Sequence, residues 1–151
     1  MKLTSFAIGL ALVAALPLSA MADLPGQHPA YLHALTDLRA ARWLIEHRPG
    51  DARVSADEDV AIARIDEAIG DIKRAAIDDG KGLRDHPPVD ARLDRKGQLH
   101  RAEELLRKVR ADIAREEDDP LTRGLRDYAV HHVDEAFGAT HQAIVDAERG
   151  L

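Results

Sequence analysis

The sequence predicts an all-α fold, an antiparallel up-down-up-down four-helix bundle, and three observations lead to it. Apolar residues recur every three or four positions in four separate stretches, which is the period of a single buried helix face. Aromatic residues make up only 3% of the chain, whereas Ala, Leu, Ile, Arg, Asp and Glu are abundant, as is typical of helical proteins. Two of the three joins between the stretches are short, so they are expected to connect antiparallel neighbours.

The chain begins with a segment typical of secretory signal peptides. Lys2 precedes a mostly apolar run over 6–18, and the segment closes with small residues, so we expect cleavage after Ala22 and a periplasmic protein. The apolar run is shorter than the ~20 residues that span a bilayer, so no stable membrane anchor is expected. The chain has no cysteine, which excludes disulfides and lipid attachment through a cysteine. Residues 23–151 are then expected to form one bundle domain.

The exported part is acidic, which narrows the classes of partner. The chain has 21 basic and 27 acidic residues, and loss of Lys2 with the signal peptide brings the net charge to about −7 with histidine neutral. This charge disfavours nucleic acid and anionic lipid, and it favours cations and basic partners. We therefore expect no nucleic-acid partner.

The first helix is predicted over 29–47 and ends before Pro49. Trp43 lies at the edge of its buried face, where we expect the indole to cover the rim of the core rather than to stack on a ligand. Arg42 falls within the apolar stripe, so either its stem covers the core or its guanidinium pairs with a carboxylate of a neighbouring helix. The residues predicted on or beside the buried face are Tyr31, Ala34, Leu35, Leu38, Ala41 and Ile45.

The second helix is predicted to begin at a capping box formed by Ser55 and Glu58, in which each side chain bonds the other residue's backbone N–H. Gly80 is predicted to end the helix as its C-terminal cap residue. This stretch has the clearest helical period in the chain. Its predicted inward positions are Ala61, Ile62, Ile65, Ala68, Ile69, Ile72 and Ala76.

The third and fourth helices complete the bundle. Asp112 and Glu116 intrude on the inner face of the third helix, so we expect them to meet a basic residue across the bundle, with Arg42 as one candidate. The fourth helix is predicted over 119–148, with Asp119 as its cap and Pro120 in its first position. The inward positions of the third helix are Leu99, Ala102, Leu105, Leu106, Val109 and Ile113, and those of the fourth are Ala129, Val133, Ala136, Thr140, Ala143 and Ala147.

The connection over 79–94 is long for a helical bundle and contains two glycines and two prolines. Loops of this length are often functional. We instead favour a crossover that ties the two hairpins together across one end of the bundle.

Catalytic and cofactor motifs are absent from the sequence. It has no Glu-x-x-His pair for a di-iron bundle, no His-Glu-x-x-His for zinc hydrolysis and no Gly-x-Ser-x-Gly or phosphate-binding loop. The prediction is that the protein is not an enzyme.

Histidine supplies the candidate metal ligands. His33 precedes Asp37 by four residues, and His131 precedes Glu135 by four, so each pair can place an imidazole beside a carboxylate on one helix face. His86 lies in the long connection among carboxylates and prolines. Copper, zinc or nickel are the expected ions. The alternative for each pair is an exposed contact that supports its helix without binding metal.

Four strings carry a resemblance to a known family: HPAYLHALTDLRAARWL at 28–44, AAIDDGK at 75–81, DHPPVD at 85–90 and LRKVRADIAREEDD at 106–119. Together they resemble a family of small exported helical-bundle proteins of Gram-negative bacteria, a resemblance that implies a fold and export but no mechanism. In organisation alone the chain is similar to small periplasmic metal-binding bundles. It has far fewer histidines than those proteins, which argues against high-capacity metal storage.

Two functions remain open on the sequence. The first is a non-catalytic periplasmic protein that binds a divalent transition metal. The second is a structural or protein-interaction module, either for another protein or for a homodimer, because Trp43 and Leu44 widen the apolar surface of the first helix. His132 and His141 are predicted at opposite edges of the buried face, so they are not expected to share an ion within one chain.

Overall fold

The computed structural model describes residues 29–50, 55–75, 80–116 and 123–150. These residues form four helices, α1 (Pro29–Glu46), α2 (Ala56–Ala75), α3 (Arg95–Arg115) and α4 (Arg123–Arg149), and no strand occurs among them. The predicted all-α four-helix bundle is confirmed. The predicted signal peptide at 1–22 and the predicted start of the fourth helix at 119–120 lie outside the described residues and stay predictions.

The core is the one that the helical periods predict. Every residue predicted inward on α1 and α3 is buried. On α2 and α4 the predicted stripes are also buried, except that Ile62 and Ala147 are partly exposed and Ala76 lies outside the described residues. Burial of each large aliphatic side chain stabilises the fold by roughly 1.5–3 kcal/mol before the loss of conformational entropy is counted.

Helix ends are capped by side chains close in sequence. The hydroxyl of Ser55 accepts a hydrogen bond from the N–H of Asp57 at 3.2 Å, and Asp94 accepts one from Gly97 at 2.8 Å to cap α3. The predicted capping box does not form, because the N–H of Glu58 donates to the backbone carbonyl of Ser55 at 3.1 Å and the Glu58 carboxylate turns into the bundle and binds arginines. Gly80 has a φ of 70°, which glycine adopts readily, and its predicted role as the C-terminal cap stays a prediction because residues 76–79 lie outside the described residues.

Contacts at the helix ends fix the direction of each helix. Arg95 at the start of α3 donates to the carbonyl oxygens of Leu44 and Ile45 at the end of α1, both at 3.1 Å. Glu116, just past the end of α3, accepts from the N–H of Ala30 at 3.2 Å. Helices α1 and α3 are therefore antiparallel, although the sequence predicts them to be parallel.

The order of directions along the chain is consequently up-down-down-up rather than up-down-up-down. Arg42 of α1 binds Asp66 of α2 at 2.7 Å, and Arg48 binds Glu58, so α2 is also antiparallel to α1. The starts of α2 and α3 lie at the same end of the bundle, where their side chains reach each other: Arg95 Nε lies 3.2 Å from Glu58 Oε1. Helices α2 and α3 lie on one diagonal of the bundle, and α1 and α4 lie on the other.

The connection between α2 and α3 therefore runs back along the length of the bundle, so the prediction that it crosses one end is wrong. The stretch over residues 80–94 alone can reach this far, because a 20-residue helix is only ~30 Å long and an extended chain covers ~3.3 Å per residue. Its described part lies against α1: Arg39 donates to the carbonyl of Lys81 at 3.3 Å, and the rings of His86 and Trp43 are 5.3 Å apart.

This connection changes the interpretation of the apolar surface on α1. Leu44 is 1% exposed, and Val89 of the connection packs against the core together with Trp43. The predicted docking surface at Trp43 and Leu44 is therefore largely buried within the chain. No helix of the described part is both long enough and apolar enough to cross a membrane.

The partners of Arg42 and Asp112 are not the ones that the sequence predicts. Arg42 does pair with a carboxylate of a neighbouring helix, but that carboxylate is Asp66 and not Asp112 or Glu116. Asp112 pairs with Arg115, one turn along its own helix. The antiparallel packing of α1 on α3 places the end of α3 near the start of α1, whereas Arg42 lies near the end of α1.

Candidate functional site

Asp37, predicted to pair with His33 on α1, has a partner from another helix. The Asp37 carboxylate binds the ammonium group of Lys108 on α3 and is only 15% exposed. A metal at Asp37 would have to displace this lysine. The packing of α1 on α3 thus gives Asp37 a structural partner.

The predicted ligand His86 lies against the aromatic edge of α1. Its Nδ1 is 2.7 Å from the carbonyl oxygen of Pro87, and its ring lies against Trp43, on which His47 is stacked at 4.3 Å. His86 lines a cleft of about 380 Å³ together with Arg39, Lys81 and Asp85. The cleft therefore offers one carboxylate and two cations beside the imidazole, and metal binding at His86 stays a prediction.

The predicted pair of His131 and Glu135 on α4 does come together. His131 Nε2 lies 3.7 Å from Glu135 Oε2, and the imidazole is 65% exposed. Glu135 also lies 3.3 Å from Nε of Arg64 on α2. This pair lies beside a second histidine, His132, which is not among the predicted ligands.

His132 of α4 contacts a buried carboxylate of α2. Its Nδ1 is 2.8 Å from Oδ2 of Asp71, whose side chain is 3% exposed. Arg74 binds the other oxygen of the same carboxylate. Because an ionised carboxylate only accepts hydrogen bonds, the tautomer that satisfies this contact has its proton on Nδ1, which donates a hydrogen bond to Asp71. Neutral His132 therefore keeps its lone pair on Nε2.

The free nitrogen of His132 faces a second carboxylate. Its Nε2 lies 3.5 Å from Oε2 of Glu67, beyond the usual length of a hydrogen bond. Two ligand atoms bound tetrahedrally at ~2.1 Å from one zinc ion are ~3.4 Å apart, so this separation is that of neighbouring metal ligands. An imidazole fixed by a carboxylate on its other nitrogen is also the usual arrangement of a metal-binding histidine.

These side chains line an open groove of about 450 Å³. Gly70 also lines the groove and has no side chain to fill it. A Cβ atom added to Gly70 would lie 3.6 Å from the guanidinium of Arg74, so a larger side chain would extend into the groove. The groove lies between α2 and α4. Its lining residues are Asp66, Glu67, Gly70, Asp71, Arg74 and His132.

Neighbouring charges lower the pKa of the Glu67 carboxyl, which lines the groove. A hydrogen bond from Arg64 is the largest cause that lowers the pKa of the Glu67 carboxyl, with the charges of Arg64 and His132 adding to it. Glu67 therefore stays ionised under mildly acidic conditions. The same hydrogen bond and the nearby charges of Glu135 and Glu67 raise the pKa of Arg64.

Two protein ligands are the most that the described residues bring together. Within these ranges no three His, Cys, Asp or Glu side chains are grouped so that they could hold one metal ion. His141 lies across the other side of α4, where its Nδ1 is 3.0 Å from Glu103 of α3. The separation of His132 from His141 agrees with the sequence prediction.

The contact between Asp71 and His132 has no one-dimensional signature, because the two residues are 61 positions apart. One signal does exist in the sequence. Asp71 falls inside the apolar stripe of α2, between Ile69 and Ile72, and a buried carboxylate requires a partner.

Comparisons with known proteins add no relative: no protein-family model matches the chain, and neither a curated protein nor a solved structure does. The resemblance to small exported helical bundles stays a prediction.

Proposed function

We propose that this protein is a non-catalytic binding protein for a divalent transition metal, with His132 and Glu67 as its ligands. The observation that carries the proposal is the position of His132 between two carboxylates, with Nδ1 bonded to Asp71 and Nε2 beside Glu67. In this proposal Asp71 positions the imidazole and does not touch the metal. The export signal that the sequence predicts supports binding in the periplasm as part of this proposal.

The ligand types favour particular ions. One imidazole and one carboxylate suit copper, zinc or nickel better than calcium or magnesium, which prefer oxygen ligands alone. With only two ligands from the protein, water fills the remaining positions, so the ion exchanges readily. The proposed role is therefore reversible binding, and the absence of catalytic motifs from the sequence favours it over catalysis.

The alternative function, a protein-interaction or self-association module, gains no support from a surface patch. Among the described residues the exposed large apolar side chains are Val60, Leu83 and Tyr128, which belong to three different elements. Isolated apolar side chains of this kind are normal on protein surfaces. Of the two residues that favoured the alternative, Leu44 is buried and Trp43 is partly buried against the core.

Isothermal titration with zinc chloride at neutral pH tests the proposal on the protein purified after export. We expect one ion per chain with a dissociation constant of about micromolar, and loss of binding near pH 5, where histidines are generally protonated. His132→Gln should abolish the binding. Asp71→Asn should weaken it by about 10–100-fold, because the imidazole loses its orienting carboxylate.

His141→Gln is the matched control for His132→Gln. His141 lies on the same helix and also contacts a glutamate, but its side chain is 62% exposed and lies on the opposite edge. The control should bind zinc as the parent does. Equal binding by both variants, or no saturable binding by the parent, would refute the proposal.

A further inference from the structure

Two pairs of histidine and glutamate lie side by side where α4 packs on α2. The first pair joins α4 to α2, and the second lies within α4. The first is His132 with Glu67, at 3.5 Å, and the second is His131 with Glu135, at 3.7 Å. The two imidazole rings are neighbours along α4, with centroids 5.7 Å apart. The four side chains thus offer two nitrogen and two oxygen ligands to one region of surface.

A protein cation already joins the two pairs. Nη1 of Arg64 lies 2.5 Å from Oε2 of Glu67, and Nε of the same guanidinium lies 3.3 Å from Oε2 of Glu135. The guanidinium therefore bridges the two carboxylates and balances their charge. Its side chain is 36% exposed, so it can turn into water without disturbing the core.

We propose that Arg64 is an internal competitor for the metal, and that a divalent ion displaces it and recruits His131 and Glu135 to His132 and Glu67. This inference rests on the proposed function. A divalent ion satisfies two carboxylates and two neutral imidazoles together, which a single guanidinium charge does not. Exposed ion pairs of the kind that Arg64 makes are individually weak, so the ion can replace them.

The arrangement also explains why the described residues contain two grouped ligands rather than four. The guanidinium contacts both carboxylates, Glu67 through Nη1 and Glu135 through Nε, so an ion has to displace it before it can bind both. Without it, the two carboxylates repel each other until a cation binds between them. Arg64 would in this way lower the affinity of the site for every cation. Only an ion with two charges would then bind strongly enough to displace the guanidinium.

Zinc titration of Arg64→Gln tests the inference, with Arg110→Gln as the control. Arg110 is also an exposed arginine that binds a carboxylate of α4, Asp134, so its loss changes the net charge equally but away from the groove. Arg64→Gln should bind zinc at least tenfold more tightly than the parent, and Arg110→Gln should stay within twofold of it. Adding His131→Gln or Glu135→Gln to Arg64→Gln should reverse at least tenfold of the gain. Circular dichroism checks that each variant is folded.

The outcomes separate this inference from the proposed function. If Arg64→Gln and Arg110→Gln bind equally while His132→Gln abolishes binding, the metal site stands and the role of Arg64 is overturned. A gain in Arg64→Gln that persists after loss of His131 and Glu135 overturns their recruitment. If neither the parent nor Arg64→Gln binds zinc, the proposed function and the inference both fail.

Discussion

Replacement of Glu58 by alanine tests the contact that fixes the starts of α2 and α3 at one end of the bundle. The Glu58 side chain is 3% exposed, and its Oε2 lies 2.7 Å from Arg48 Nε and 2.6 Å from Arg95 Nη2. Arg95 also donates to the carbonyl oxygens of Leu44 and Ile45. One carboxylate therefore joins three segments of the chain.

The magnitude follows from the burial of Arg95, whose side chain is 10% exposed. Alanine at position 58 leaves this guanidinium without its counter-charge, and breaking a buried ion pair by removal of one partner costs about 3–5 kcal/mol. Arg48 is 24% exposed and can turn to water, so its loss of contact adds little. For a domain of this size the change should lower the melting temperature by about 10–20 °C.

Thermal and urea unfolding followed by circular dichroism measure the effect. The control is Glu104→Ala, which removes a glutamate from an exposed pair with Arg101 and should cost less than about 1 kcal/mol. If Glu58→Ala costs no more than this control, the buried carboxylate does not hold the two helix starts together and the reasoning is refuted.

Three further predictions concern topology, burial and pH. Spin labels at Asp59 and Lys96, near the starts of α2 and α3, should be on the order of 20 Å apart by double electron–electron resonance, whereas an up-down-up-down order predicts about 30 Å or more. Leu44→Glu should cost about 3 kcal/mol or more in unfolding free energy, because it buries a charge; a change in oligomeric state by light scattering with unchanged stability would contradict this. Arg64→Gln should raise the pKa of Glu67 towards its usual value in a carbon-13 NMR titration, since Arg64 is the main cause that lowers it. A lowered carboxyl pKa stabilises the fold above the unfolded-state value and loses that effect as pH falls, so the variant should lose less stability than the parent between about pH 5 and pH 3.

The helices and the core were predictable because both depend on local periodicity. The stripe through Leu35 and Leu38 on α1, like that through Leu106 and Val109 on α3, reports burial without any knowledge of the partner helix. The order of helix directions was not predictable in this way. It depends on contacts such as Arg95 with the end of α1, and those residues are about 50 positions apart.

In the candidate site, too, contacts within one helix were predictable from the sequence and contacts between helices were not. His131 and Glu135 lie one turn apart on a single helix, so their spacing predicts their contact. His132 meets Asp71 and Glu67 only because α4 packs antiparallel to α2. The contact of Asp37 with Lys108 is equally invisible in the sequence, since Lys108 reaches it from another helix.

Anomalous diffraction at the zinc absorption edge is the most direct test of the metal assignment. Crystals of the exported protein soaked in zinc chloride should give a peak ~2.0–2.1 Å from Nε2 of His132 and ~2.0–2.2 Å from a carboxylate oxygen of Glu67. If the ion displaces Arg64, the same peak should also touch His131 and Glu135, in the parent as well as in Arg64→Gln. A peak at His33 or His86 with none at His132 would contradict the assignment.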